Sequence, residues 1–72
     1  MELVIRNTTG KAPYGDHEIM HSEQVADLNA GEQAFERWCA ANLAEHDQRP
    51  QGVVVDEDGN EYHAETGALL SN

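Results

Sequence analysis

One stretch limits what this chain can become. Between Asn29 and Asp47 the apolar residues Phe35, Trp38, Cys39 and Leu43 recur at three- and four-residue spacing, with Ala34 and Ala41 filling in. Glu32, Glu36, Arg37 and Glu45 fall largely outside that stripe. Such a period puts one apolar face on a helix, and that face needs an apolar surface to lie on. Asn29 followed by Glu32 has the capping-box pattern at its start, and Arg49-Pro50 stops it. The principal helix is therefore expected over about residues 30–47.

The surface beneath it has to come from strands. Leu3-Val4-Ile5 is a short apolar run rich in β-branched residues, and Gly52-Val53-Val54-Val55-Asp56 is another. Asp56-Glu57-Asp58-Gly59-Asn60 is turn chemistry, with Gly59 at the left-handed position. Glu61-Tyr62-His63-Ala64-Glu65 alternates and pairs back, giving a C-terminal hairpin over about 52–65. Thr66-Gly67 breaks it, after which Ala68-Leu69-Leu70 returns to the core or forms a further short edge.

The expected fold is thus α+β: a small three-stranded, mostly antiparallel sheet with one principal helix on one face. Its core would draw on Leu3, Ile5, Phe35, Trp38, Leu43, Val53, Val55, Tyr62 and Leu69. A chain of 72 residues has material for one small domain, and no repeat or linker divides it. Residues 7–28 are the least determined. Asn7-Thr8-Thr9-Gly10 breaks the first strand, and Pro13 and Gly15 mark a loop. Asp16 could cap a helix from His17, although Ile19, Met20, Val25, Ala26 and Leu28 fit a helical stripe poorly. A helix is the expectation there, with a flexible loop that folds on binding as the alternative.

Charge narrows the function classes. Fourteen acids face four Lys and Arg residues, for a formal net charge of -10. Such a balance argues against direct nucleic-acid binding and against anionic membranes, and it favours a basic protein surface as partner. The first residues carry no basic lead and only three consecutive apolar positions, so no secretion signal is expected, and no later stretch could span a membrane. Cys39 is the only cysteine, which rules out an internal disulfide and suits a cytoplasmic location.

Two motifs invite metal chemistry. His17-Glu18-Ile19-Met20-His21 reads H-E-x-x-H, which on a helix sets both imidazoles on one face, one turn apart. The stretch resembles the zincin metalloproteases over five residues. That resemblance implies zinc held by His17 and His21, water polarised by Glu18, and Asp27 at the third-ligand position of the metzincin extension. Gln24 stands where that extension has a glycine, and a chain this short lacks material for both a substrate-holding sheet edge and a second subdomain. No catalytic residue and no cofactor is therefore assigned, and His17, His21 and Asp27 remain only as a minor zinc reading. The run from Asp56 fails as an EF-hand loop, because its sixth and twelfth positions are Glu61 and Gly67. Cys39 and His46, seven residues apart, would share a helix face without touching, so no nucleophile pair forms.

What remains is acidity. Asp56, Glu57, Asp58, Glu61 and Glu65 give residues 51–72 five acids and no base, a docking surface for Arg and Lys. The expected function is a non-catalytic acidic module, not an enzyme. It would dock on a larger host protein with a basic surface and inhibit or redirect it. In length, charge and α+β pattern the chain is similar to the small acidic proteins with which bacteriophages take over host machines. RNA polymerase, CRISPR complexes and restriction nucleases are such targets. The similarity is one of class and rests on no diagnostic motif. It implies a nucleic-acid-handling enzyme as partner and an acidic surface that mimics nucleic acid. The alternatives are an accessory subunit that oligomerises and the minimal zinc site. Strand Leu3-Val4-Ile5, if it lies at a sheet edge, could also add to a partner's strand.

Overall fold

The computed structural model describes residues 1–10 and 12–71, with Ser71 described by its backbone alone. Its elements are β1 (Glu2–Arg6), β2 (Ile19–Gln24), α1 (Leu28–Asn42), β3 (Gln51–Val55), β4 (Glu61–His63) and β5 (Leu69–Ser71). One sheet runs in the order β2-β1-β3-β4-β5, and every neighbouring pair is antiparallel. The α+β class and the principal helix are as expected, but the sheet has five strands rather than three. No helix among the described residues is long and apolar enough to cross a membrane.

The main correction concerns residues 16–28. No helix starts at His17, and only Leu28 of this stretch is helical, as the first residue of α1: Ile19–Gln24 is a strand, paired with β1 from Glu2↔Gln24 to Ile5↔His21. A bulge then shifts the register so that Arg6 meets Ile19. A poor helical stripe lost to an apolar strand that needed a partner on its second side, and tertiary pairing overrode local propensity. β1 consequently lies inside the sheet, so Leu3-Val4-Ile5 is no edge for strand addition.

The chain before β2 closes as a loop around Asn7, which is fully buried. Its backbone N–H donates to the Glu18 carbonyl at 2.9 Å, and its carbonyl accepts from the His17 N–H at 2.8 Å. Its side-chain Nδ2 donates to the Tyr14 and Gly15 carbonyls, both at 3.2 Å, while Oδ1 accepts from Thr9 Oγ1 at 3.1 Å. One buried amide with its partners supplied costs little, whereas the same amide unpaired would be expensive.

The helix is displaced toward the N-terminus of its expected span. Asp27, not Asn29, is the N-cap; its backbone is extended and its Oδ1 accepts the Ala30 N–H at 2.8 Å. The helix ends at Asn42 rather than near Asp47. Leu43 is already extended while its N–H still reaches the Cys39 carbonyl at 2.9 Å. The Asp47 carboxylate then accepts the Ala44 N–H at 2.9 Å, so a local polar turn takes over before Pro50 can act.

The core lies between α1 and one sheet face. Leu3 and Ile5 of β1, Val54 of β3 and Ala64 meet Ala34, Phe35 and Cys39 of the helix. Met1, Met20, Val25, Leu28, Trp38 and Leu43 pack at its margin. Leu3, Ile5, Phe35 and Val53 are buried as expected. Val55 and Tyr62 are half-buried, and Leu69 is 54% exposed on the edge strand β5. A run of three valines does not reveal its own phase. The register Leu3↔Val54 and Ile5↔Gly52 makes Val54, not Val53 and Val55, the valine beneath the helix.

Two glycines set how closely the layers approach. A methyl group on Gly31 would stand 2.5 Å from a Val54 γ-carbon. A methyl group on Gly52 would stand 2.5–2.9 Å from three Phe35 ring atoms. Each layer thus carries one bulky side chain and one notch, and each bulky group fills the other layer's notch. Gly52→Ala is expected to destabilise the fold by about 1–3 kcal/mol through overpacking. In Gly31→Ala the same overpacking is offset by about 1 kcal/mol of helix propensity, so its loss is the smaller of the two. Urea denaturation measures both, and a Gly52→Ala protein as stable as the parent would mean Phe35 is not seated on Gly52.

Candidate functional site

The β3–β4 turn holds the first three of the predicted docking acids. Gly59 takes a φ of 85°, and the Gly59 N–H closes the turn on the Asp56 carbonyl at 3.1 Å. The Asp56 side chain points back into this turn. Its Oδ1 accepts the Asp58 and Asn60 backbone N–H groups, both at 2.9 Å. Its Oδ2 accepts Asn60 Nδ2 and the Tyr62 hydroxyl, both at 3.1 Å. Partial burial pushes this carboxyl's pKa up, but the hydrogen bonds from Asn60, Tyr62 and Asp58 together outweigh it and hold the group below the usual aspartate range. The bond to Asp56 raises the Tyr62 hydroxyl in turn. Asp56 therefore organises the turn, and it is Glu57 and Asp58 that stand exposed at its tip.

The remaining acids separate. Glu61 pairs with Val55, which also faces Glu2, so these three form a row across the sheet face turned away from α1. Glu65 lies beyond β4, where with Ala64 it faces Glu32, Gln33, Glu36 and Arg37 of the helix across a cleft of about 490 Å³. Glu36 is neutralised there. Arg49 grips its carboxylate with both terminal nitrogens, at 2.7 and 2.9 Å, and the guanidinium sits 6.0 Å from the centre of the Phe35 ring. The Arg49 hydrogen bond lowers the Glu36 pKa and raises that of Arg49.

Strand direction creates a grouping that the linear sequence hides. At one end of the sheet β1 begins, β2 and β3 end, and β4 begins. Glu2, Glu57, Asp58 and Glu61 collect there, with the helix-capping Asp27 alongside. Glu57 and Asp58 border a hollow of about 300 Å³ with Met1, Ala26 and Asp56, which ties the turn tip to the β2–α1 connection. Arg6 and Arg49 sit at the opposite end of the sheet, at the end of β1 and just before β3. The acidic end is built from residues far apart in sequence, and only Glu57, Asp58 and Glu61 of it were foreseen. Glu2 and Asp27 join it through strand order and helix capping.

The H-E-x-x-H residues are dispersed to separate tasks. His17 has a left-handed φ of 61° in the loop, exposed beside Asp16 at 3.7 Å. Glu18 accepts the Gly15 N–H at 3.0 Å. His21 stacks on Trp38, with ring centres 6.2 Å apart, and its Nε2 lies 3.1 Å from Glu23 Oε1. Asp27 caps the helix. The one-turn spacing that zinc would need is absent because the segment is extended. Among the described residues no group of three or more His, Cys, Asp or Glu side chains could hold a metal ion. Cys39 is buried, and that burial raises its thiol pKa despite the opposing charge of Arg49. Because the helix stops at Asn42, His46 is not on its face.

No model of a known protein family matches this chain, and no curated protein or solved structure matches it either.

The hydrogen bonds of Asp56 have a pH signature. Its folded pKa lies below its unfolded one, so the stability it contributes is present above about pH 4 and is lost as the pH falls through the folded value. Asp56→Asn is expected to lower the melting temperature at pH 7 and to flatten its decline between about pH 4 and pH 2 relative to the parent. Thermal melts across that range measure both, and parallel acid limbs in the two proteins would remove Asp56 from this role.

Proposed function

We propose that this chain is a non-catalytic acidic docking module. It binds a basic surface on a larger protein and inhibits or redirects that protein. The observation that carries this reading is a grouping of acids, with no Lys or Arg among them, produced by strand direction. Glu2, Asp27, Glu57, Asp58 and Glu61 gather at one end of the sheet, while Arg6 and Arg49 lie at the other, among Asp16, Glu18 and Glu65. A protein of net charge -10 with its acids gathered in this way attracts a basic surface over a Debye length and presents one end to it. The partner class we propose is a cytoplasmic enzyme that handles nucleic acid, since such enzymes carry extended basic surfaces for phosphate.

A second reading, an accessory subunit that self-associates, is favoured by one observation. The edge strand β5 exposes Leu69 (54%) and Leu70 (37%), and residues 66–72 carry no charge.

The triple variant Glu57→Gln, Asp58→Asn, Glu61→Gln separates the two while leaving Asp56 to hold the turn. Its affinity for a basic partner protein, measured by titration calorimetry, is expected to fall roughly tenfold at low ionic strength. That difference should vanish at about 0.5 M salt. An affinity unchanged at every salt concentration would move the contact away from the acidic end. A concentration-dependent mass in sedimentation that the triple variant leaves untouched would favour the subunit.

A further inference from the structure

The outer edge of β2 is open. In the antiparallel ladder with β1 the Val25 N–H donates to the Met1 carbonyl. Pairing alternates from there, so Glu23 and His21 bond toward β1, while the N–H and C=O of Ser22 and Gln24 point outward. None of the described backbone hydrogen bonds outside the ladder engages residues 19–24. The strand carries neither proline nor lysine to guard this edge, and the bulge near Met20 interrupts it only at its beginning. Ile19, 54% exposed, stands beside the edge as an apolar foothold.

Charge selects the occupant. Asp16, Glu18, Glu23 and Asp27 lie on or beside this strand, and residues 12–31 hold no Lys or Arg. Arg6, on β1, pairs with Ile19 at the start of the strand. A second copy pairing through the same edge would set these acids against themselves, since like charges across a strand pair are destabilising. An extended segment bearing Lys or Arg would meet the opposite sign.

We propose that β2 is the docking strand of this protein: a basic, extended segment of the partner adds to its outer edge, bonded to the backbone of Ser22 and Gln24. This rests on the reading of the chain as an acidic docking module and specifies how that module grips. Main-chain bonds supply the attachment, and the flanking acids select the sign of the partner's side chains.

The probe is a capped peptide of alternating lysine and valine about eight residues long, with alternating glutamate and valine as control. Nitrogen-15 NMR follows the amides of the full chain. The lysine peptide is expected to shift the Ile19–Gln24 resonances and to slow hydrogen exchange at Ser22 and Gln24 about tenfold, and the glutamate peptide to do neither. Ser22→Pro deletes an outward N–H without touching the β1 ladder, and it should weaken the lysine peptide about tenfold. If that variant fails to fold, the exchange rates of the parent decide alone. Shifts confined to Glu57, Asp58 and Glu61, with exchange at Ser22 and Gln24 unchanged, would overturn strand addition and leave the acidic module standing. Shifts at Leu69–Ser71 would overturn it in favour of β5. No binding of the lysine peptide at low salt would sink both readings. Slowed exchange at Ser22 and Gln24 on raising the protein concentration alone would replace the basic segment with a second copy.

Discussion

The fold depends on how closely one helix can approach one sheet. In a chain of 72 residues a single apolar layer has to hold the structure, so its thickness matters more than its extent. Phe35 over Gly52 and Val54 under Gly31 fix that thickness from both sides. Gly31 and Phe35 are one helical turn apart, and Gly52 and Val54 are two strand positions apart, so each pair shares a face of its element. Together they set where the helix lies across the strands. The Arg49–Glu36 pair clasps the segment before β3 onto the same helix at its exposed margin. Its contribution is small beside the packing, because both groups stand in water.

That arrangement also decides where charge falls. The helix crosses β1 and β3 on one face, and the antiparallel order β2-β1-β3-β4-β5 then dictates which strand ends share a rim. The acidic end is a consequence of topology, not of a run of acids. Its members come from the start of β1, the cap of α1, and the turn and strand that follow β3. Asp56, at the start of the most acidic run, turns both carboxylate oxygens back into its own turn.

Much of the fold was legible in the sequence, because helix and hairpin both write strong periods. Phe35, Trp38, Cys39 and Leu43 announced α1, and Asp-Gly turn chemistry before an alternating strand announced β3 and β4. Three things were not legible, each for a physical reason. Residues 19–24 carry a mixed pattern that becomes a strand only because β1 offers an unpaired side, a long-range fact. The helix cap moved to Asp27 because several polar residues near the start can each serve, and tertiary packing chose between them. The H-E-x-x-H spacing implied a helical site, but spacing acquires geometry only from the backbone that carries it. Of the candidate docking acids, Glu57, Asp58 and Glu61 were found by charge counting. Glu65 lies instead across the cleft from α1, and Glu2 and Asp27 could be added only once strand order was known.

The buried amide of Asn7 has a wider consequence. By holding Tyr14 and Gly15 with its side chain, and His17 and Glu18 with its backbone, it closes the loop at its base. Gly10, Ala12 and Pro13 lie beyond that closure and take no part in the strand pairing. Lengthening a loop that is already closed adds little entropy cost, because the penalty grows only with the logarithm of length. Such a loop is thus a place where sequence can be inserted or exchanged without disturbing how the strands pair, and it lies just ahead of the edge strand that flanks β1.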